Sequence, residues 1–381
     1  MIKKLEKPLL VTEPSLPRYE DYIGTIKKIW STKWLTNQGV FHNDLECKIK
    51  NFLKVDYLTL FCNGHSALDC AIKQLRFTKE KWPKIGGEII TTPFTFVSTT
   101  HAISMNGFTP IFCDIKADDY TIDEDKIEGL ITDKTVAIVC THVYGFPCNV
   151  ERISQLAKKH NLKVIYDAAH AFGVEVNGVP IGNFGDMSMF SFHATKVYNT
   201  IEGGALAYSN VALQNKLNLI RNFGILDTEE IASFGINAKM NEFQAAMGIE
   251  NLKYVTKNIQ NRKNAAQIYY KELSRIPGIK LVDLKQNIKY NYSYMPILID
   301  EKCFGISRDQ LYDKLTQYNI YPRKYFYPLI SNTPIYKHPN TQNNIADYVA
   351  KSILCLPLFA DIQKEDVEYV CKIINDISRN T

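Results

Sequence analysis

No Cys-x-x-Cys pair occurs among the nine cysteines, and no His-x-x-x-His spacing occurs among the eight histidines. Structural zinc and thioredoxin-like redox chemistry are therefore poor readings. The chain also has no Gly-x-Gly-x-x-Gly and no Gly-Lys dipeptide. Without them there is no dinucleotide fingerprint and no phosphate loop of the Walker type. No apolar run approaches the roughly 18 residues of a membrane span. After the charged Met1–Lys7 only Leu9-Leu10-Val11 is apolar, which is too short for a signal core. The expectation is a cytoplasmic protein with no membrane partner. No cluster of Lys and Arg alternates with aromatics, and the net charge of +5 is modest. That excludes a nucleic-acid groove and suits a small anionic substrate. Cysteines in apolar runs, such as Phe61-Cys62 and Val139-Cys140, read as reduced, buried thiols.

What is present is a repeating alternation of strand and helix. Residues 1–50 read as an irregular arm, broken at Pro14 and Pro17, with one helix over Tyr22–Trp30 and a loop over Trp34–Gly39. From there the pattern gives strands at 57–61, 88–92, 109–113, 135–141, 163–167, 187–192 and 204–208. Helices fall at 66–75, 95–105, 123–130 and 150–160. Short apolar runs between helical stretches predict an α/β fold, with a mostly parallel seven-stranded sheet sandwiched by helices. Residues 241–273 carry unbroken helical periodicity without proline. After Pro277 the pattern turns to a smaller α+β unit, with a strand at 291–299 and helices at 308–318 and 364–377. The expected organisation is an arm over 1–40, a large α/β domain over 41–250, and a linking helix with a small C-terminal domain over 251–381.

Two features within this frame carry chemistry. Asp167 ends the apolar strand Lys163–Tyr166, at the carboxyl edge where parallel sheets bind ligands. Lys196 closes Ser191-Phe192-His193-Ala194-Thr195-Lys196, shortly before Glu202-Gly203-Gly204. A lysine that can bond to an aldehyde and an acid that can keep a pyridine nitrogen protonated are what pyridoxal phosphate chemistry requires. An Asp before Ala168-Ala169 also reads as a helix cap, and it is the downstream lysine that favours the cofactor. Asn63-Gly64-His65-Ser66 joins a strand to a helix whose free N–H groups suit a phosphate, and Ser191 offers a hydroxyl. Phe96 follows another strand end, as a stacking ring or a core aromatic. His170 and His193 read as cofactor or substrate neighbours.

On these residues the chain resembles the DegT/DnrJ-type sugar aminotransferases, which have the fold-type-I architecture of the aspartate aminotransferase superfamily. The likeness runs through Trp34–Gly39, Asn63-Gly64, Ala67-Leu68, Thr92–Phe96, Tyr144–Pro147, Asp167–Gly173, Ser191–Lys196, Gly235–Met240 and Leu356-Pro357-Leu358. It implies that Lys196 bonds covalently to pyridoxal 5'-phosphate (PLP, or PMP in the aminated form) and that Asp167 pairs with the ring nitrogen. It implies further that His170 lies near the phenolic oxygen and that Phe96 stacks on the ring. Gly64, His65 and Ser191 would hold the phosphate. His65 stands where the family often has Thr, so the expected contact there is through backbone. Asn237 would reach the phosphate of a neighbouring subunit, making a homodimer with active sites at the interface. The implied reaction is transamination of a nucleotide-linked 4-keto-6-deoxyhexose by L-glutamate, in lipopolysaccharide or O-antigen synthesis, with Asn37, His193, Arg323 and Tyr327 toward the substrate. A structural turn is the other reading of residues 322–328. The alternatives are a C3 keto-sugar aminotransferase and a non-catalytic regulator of the same fold. A sugar 3-dehydratase is disfavoured because the lysine is kept.

Overall fold

The computed structural model describes residues 3–77, 86–337 and 343–380. Its centre is a sheet of seven strands: β1 (Tyr57–Phe61), β2 (Glu88–Thr91), β3 (Thr109–Phe112), β4 (Thr135–Thr141), β5 (Lys163–Asp167), β6 (Met187–Ser191) and β7 (Gly204–Tyr208). Their order across the sheet is β1-β7-β6-β5-β4-β2-β3. β7 runs antiparallel to both its neighbours, and every other pairing is parallel. The central strands are buried on both faces, which is why they read as continuous apolar runs rather than as alternation.

Register brings the chemistry to one edge. Thr141 pairs with Asp167 at the carboxyl ends of β4 and β5. Gly204 pairs with both Ser191 and Phe61, so the ends of β1 and β6 lie side by side with the start of β7. After the N-terminal helices α1 (Tyr19–Thr32) and α2 (Val40–Leu53), two helices begin at this same edge: α3 (Gly64–Lys73) after β1 and α4 (Val97–Met105) after β2.

Two segments differ from the sequence expectation. Residues Val40–Leu53 form a helix rather than irregular arm, burying His42, Leu45, Ile49 and Leu53 on one face. Its first turn is capped from far along the chain, where the Glu242 carboxylate accepts the N–H groups of Phe41 and His42 at 2.8 and 2.9 Å. The expected long helix over 241–273 is two helices, Glu242–Leu252 and Val255–Leu273. At the break, Lys253 and Tyr254 bond back only three residues, to the carbonyls of Glu250 and Asn251. Periodicity alone does not see such a tightened turn.

Beyond Pro277 a second core forms around an antiparallel sheet of Ile279–Lys280, Met295–Ile299 and Ile353–Leu356. The helices Arg308–Gln317 and Lys364–Arg379 cover it. The N-terminal Leu9–Leu10 pairs in parallel with Ile320–Tyr321, just ahead of the segment that reaches the site. Among the described residues no helix is long and apolar enough to cross a membrane.

Candidate functional site

A cavity of about 660 Å³ opens at the carboxyl edge of the sheet. Lys196 enters it from the turn after β6. That turn is tied on several sides: Lys196 N–H donates to the His193 carbonyl at 2.9 Å, and Thr200 N–H to the Phe192 carbonyl at 2.9 Å. The buried Tyr198 hydroxyl bonds the Gly248 carbonyl at 3.0 Å, and the Asn199 amide bonds the Ser15 carbonyl at 2.9 Å. The lysine is half-buried and lines the cavity, where Nζ sits 5.9 Å from the centre of the Tyr294 ring. Burial is the main reason that its pKa falls to about 8; Arg323 lowers it further, and Asp167 pulls it back up.

Asp167 lies in the floor, 4% exposed. Thr99 Oγ1 donates to Oδ2 at 2.7 Å and the Ala169 N–H to Oδ1 at 3.1 Å. Burial raises its pKa, while those two bonds and the charges of Lys196 and His142 hold it down. His170 stands beside it, also buried. The Tyr144 N–H donates to its Nδ1 at 3.1 Å, which leaves the ring proton on Nε2. Burial, then the charges of Lys196 and Arg323, hold this imidazole neutral. The loop carrying it is fixed by Asn291, whose amide reaches the carbonyls of His170 and Phe172 at 2.7 and 3.0 Å.

The start of α3 forms the anion end of the cavity. Asn63 caps the helix, its Oδ1 accepting the Ser66 N–H at 2.7 Å. A Cβ at residue 64 would stand 2.9 Å from Ser191 Cβ, and one at residue 204 would stand 2.6 Å from the Asn63 carbonyl oxygen. Only glycine allows the three segments this approach. The His65 ring bonds Ser98 Oγ at 2.8 Å, so its contribution to an anion is its backbone. Phe96 at the head of α4 is 48% exposed, facing the cavity against Tyr325. A desolvated amine, a buried carboxylate, a neutral imidazole donor, a helix start that a side chain would fill and a free aromatic face together fit PLP.

The outer wall comes from residues 322–328, only some of which face inward. Arg323, Tyr325 and Phe326 line the cavity, with the Arg323 guanidinium 4.1 Å from the Tyr325 ring centre. Lys324 turns away to the Asp309 carboxylate, and Tyr327 lies 5.0 Å from the Arg308 guanidinium. Tyr327 is thus an anchor for this wall and stands outside the cavity. Asn37, exposed with left-handed backbone at φ 62°, is also outside it. So is Asn237, whose Oδ1 accepts from Lys239 Nζ at 2.9 Å. His193 does line the cavity, between Thr195 at 2.9 Å and Glu202 at 3.6 Å. Sequence reasoning missed Thr99, Tyr294, Tyr325 and Phe326. Thr99 lies 68 residues from its partner Asp167, and the aromatic wall lies further off still, so no local pattern marks them.

The model of the DegT/DnrJ/EryC1/StrS aminotransferase family matches residues 18–375. The chain is 43% identical to a dTDP-4-amino-4,6-dideoxy-D-glucose transaminase of Escherichia coli, over 97% of this chain and 98% of that one. It is 40% identical to the protein of the same name from Shigella dysenteriae, over 98% and 100%. In structure it is similar to DesI, solved in the presence of its TDP-sugar product, with a TM-score of 0.91 at 29% identity over 99% of this chain and 94% of that one.

Proposed function

The chain belongs to the DegT/DnrJ/EryC1/StrS aminotransferase family, and from that premise we propose that it converts dTDP-4-keto-6-deoxy-D-glucose to dTDP-4-amino-4,6-dideoxy-D-glucose, with L-glutamate as amino donor. The carrying observation is Lys196, an amine brought down to about 8 in a cavity that also holds the buried Asp167. When bound, PLP supplies an aldehyde that exchanges amino groups and a ring that accepts the electron pair left as a proton departs.

The chain's own groups do the rest. Backbone N–H groups at Gly64 and His65, with the Ser191 hydroxyl, would hold the cofactor phosphate. With the cofactor bound, the Phe96 ring would cover one face of the pyridine, and the Nε2–H of His170 would donate to the phenolic oxygen. Asp167 keeps the pyridine nitrogen protonated through the attraction of opposite charges. Lys196 Nζ takes the α-proton of glutamate and returns a proton to C4 of the sugar. A pKa of about 8 leaves it competent in both directions near neutral pH. Arg323, the guanidinium in the cavity wall, and His193 meet the anionic substrates.

The active form is a homodimer in which Asn237 reaches the phosphate of the neighbouring subunit. The segment that bears it exposes Phe234 at 85% and Ile231 at 75%, with Phe223, Ile225 and Leu226 nearby in sequence. A covering partner explains so much apolar surface in one segment. The setting is cytoplasmic synthesis of a surface polysaccharide such as O-antigen.

Two half-reactions test this. Glutamate must bleach the absorbance of the bound cofactor, and the 4-keto sugar nucleotide must restore it. NMR of the product must place nitrogen at C4. Nitrogen at C3, or restoration only by a 3-keto sugar, defeats the proposal.

A further inference from the structure

Beside Asp167 runs a row of buried hydroxyls that the reaction above does not use, two of them, Thr95 and Thr141, in residues that line the cavity. Thr99 Oγ1 lies 2.7 Å from Asp167 Oδ2, Thr95 Oγ1 3.0 Å from Thr99 Oγ1, and Thr141 Oγ1 2.8 Å from Thr95 Oγ1. All four side chains are buried. They come from separate places: Thr141 ends β4, Asp167 ends β5, Thr95 precedes α4 and Thr99 lies in its first turn.

The direction of these bonds follows from counting protons. Each hydroxyl has one proton to donate, and an ionised carboxylate only accepts. The Thr99 proton is therefore committed to Asp167. Thr95 must then donate to Thr99, and Thr141 to Thr95. Three O–H dipoles point the same way and end on one carboxylate oxygen. In a site shielded from water, such a row strengthens along its length.

We propose that Thr141, Thr95 and Thr99 form a directional hydroxyl relay that keeps Asp167 ionised and aimed at the pyridine nitrogen, making Thr95 and Thr99 positioning residues for the transamination. The inference rests on the PLP reading of the site. Burial by itself drives Asp167 toward its neutral form, in which it could not hold the ring nitrogen protonated. The charged or titratable groups acting on it are Lys196 and His142, and the Tyr325 phenol feels its charge in turn. Lys196 ceases to be a free ammonium when it bonds to the cofactor. The relay and the Ala169 N–H bond are the parts of the support that persist through the cycle, and only the relay extends beyond the carboxylate's own turn.

The test uses Thr99→Val, Thr95→Val, their double variant and Thr99→Ser, each read by the dissociation constant for PLP and by the absorbance of the bound cofactor against pH. Thr99→Val weakens PLP binding about tenfold or more, as expected for a bond to a charged group. Thr95→Val, which has no bond to Asp167, weakens it about threefold and moves the spectral midpoint in the same direction. Thr99→Ser stays within about twofold of wild type because the donor is restored. In the Thr99→Val background the Thr95 change adds nothing, since the row is already cut. A silent Thr95→Val, or full additivity in the double variant, overturns the relay. Wild-type protein that takes up no PLP overturns the transaminase reading and the relay together, whereas normal uptake with additive threonines removes the relay alone.

Discussion

Lys196 has to be both a nucleophile and a proton carrier, and its surroundings set the compromise. Burial and Arg323 push its pKa down to about 8 while Asp167 opposes them. The proton-accepting form is the free amine, so the rate of the glutamate half-reaction should rise through pH of about 8 and level off above it. Arg323→Gln removes one of the two lowering influences, and the midpoint should move upward. A midpoint that stays put would show that the guanidinium charge does not reach the amine. Lys196→Ala should still bind PLP, but with no link that borohydride can reduce, and with no turnover. Borohydride labelling at the wild-type level would remove Lys196 from its role. Asp167 and Lys196, which the fold brings to one cavity, could be read from the sequence because each carries its context locally: an acid at a strand end, and a lysine after a small-residue turn. Thr99, Tyr294 and Tyr325 were not, because each meets the site only through the tertiary fold.

Glycines decide how closely the elements of the site approach. At Gly64 an added Cβ would lie 2.9 Å from Ser191 Cβ and 3.2 Å from its Cα, so backbone has to yield. Gly64→Ala should lower PLP affinity more than about tenfold and destabilise the fold by roughly 1–3 kcal/mol, the usual range for overpacking. Gly24, inside the helix Tyr19–Thr32, has nothing within 4 Å of its would-be Cβ. Gly24→Ala should therefore stabilise by about 0.5–1 kcal/mol, through helix propensity alone. Urea unfolding of the two variants checks both signs, and equal effects would mean that the approach of α3 to β6 is not tight. At this scale the seven strands were readable as short apolar runs. The helix over Val40–Leu53 was not, although Leu45, Ile49 and Leu53 keep helical spacing, since its cap comes from Glu242. The strand Ile353–Leu356 is a four-residue apolar run, too short to distinguish from a buried helix turn until Met295–Ile299 pairs with it.

At the scale of the whole molecule, the cavity of one chain accounts for Lys196, Asp167 and Gly64 but leaves Asn237 outside. If Asn237 serves a neighbour's phosphate, the enzyme is complete only as a pair, and two inactive variants should repair each other. A Lys196→Ala chain keeps Asn237, and an Asn237→Ala chain keeps Lys196. In the mixed dimer one site combines the intact lysine with the partner's intact asparagine, and the other site lacks both. Random exchange of equal amounts makes half of the dimers mixed, each with one good site of two, so activity should return to about a quarter of wild type. Phe234→Asp in both chains should prevent the repair by placing charge in the covered apolar segment, and sedimentation should show the loss of dimer. No recovery on mixing, with exchange of subunits verified by mass spectrometry, would place Asn237 outside the catalytic unit. Recovery in a protein that sediments as a monomer would refute the shared site.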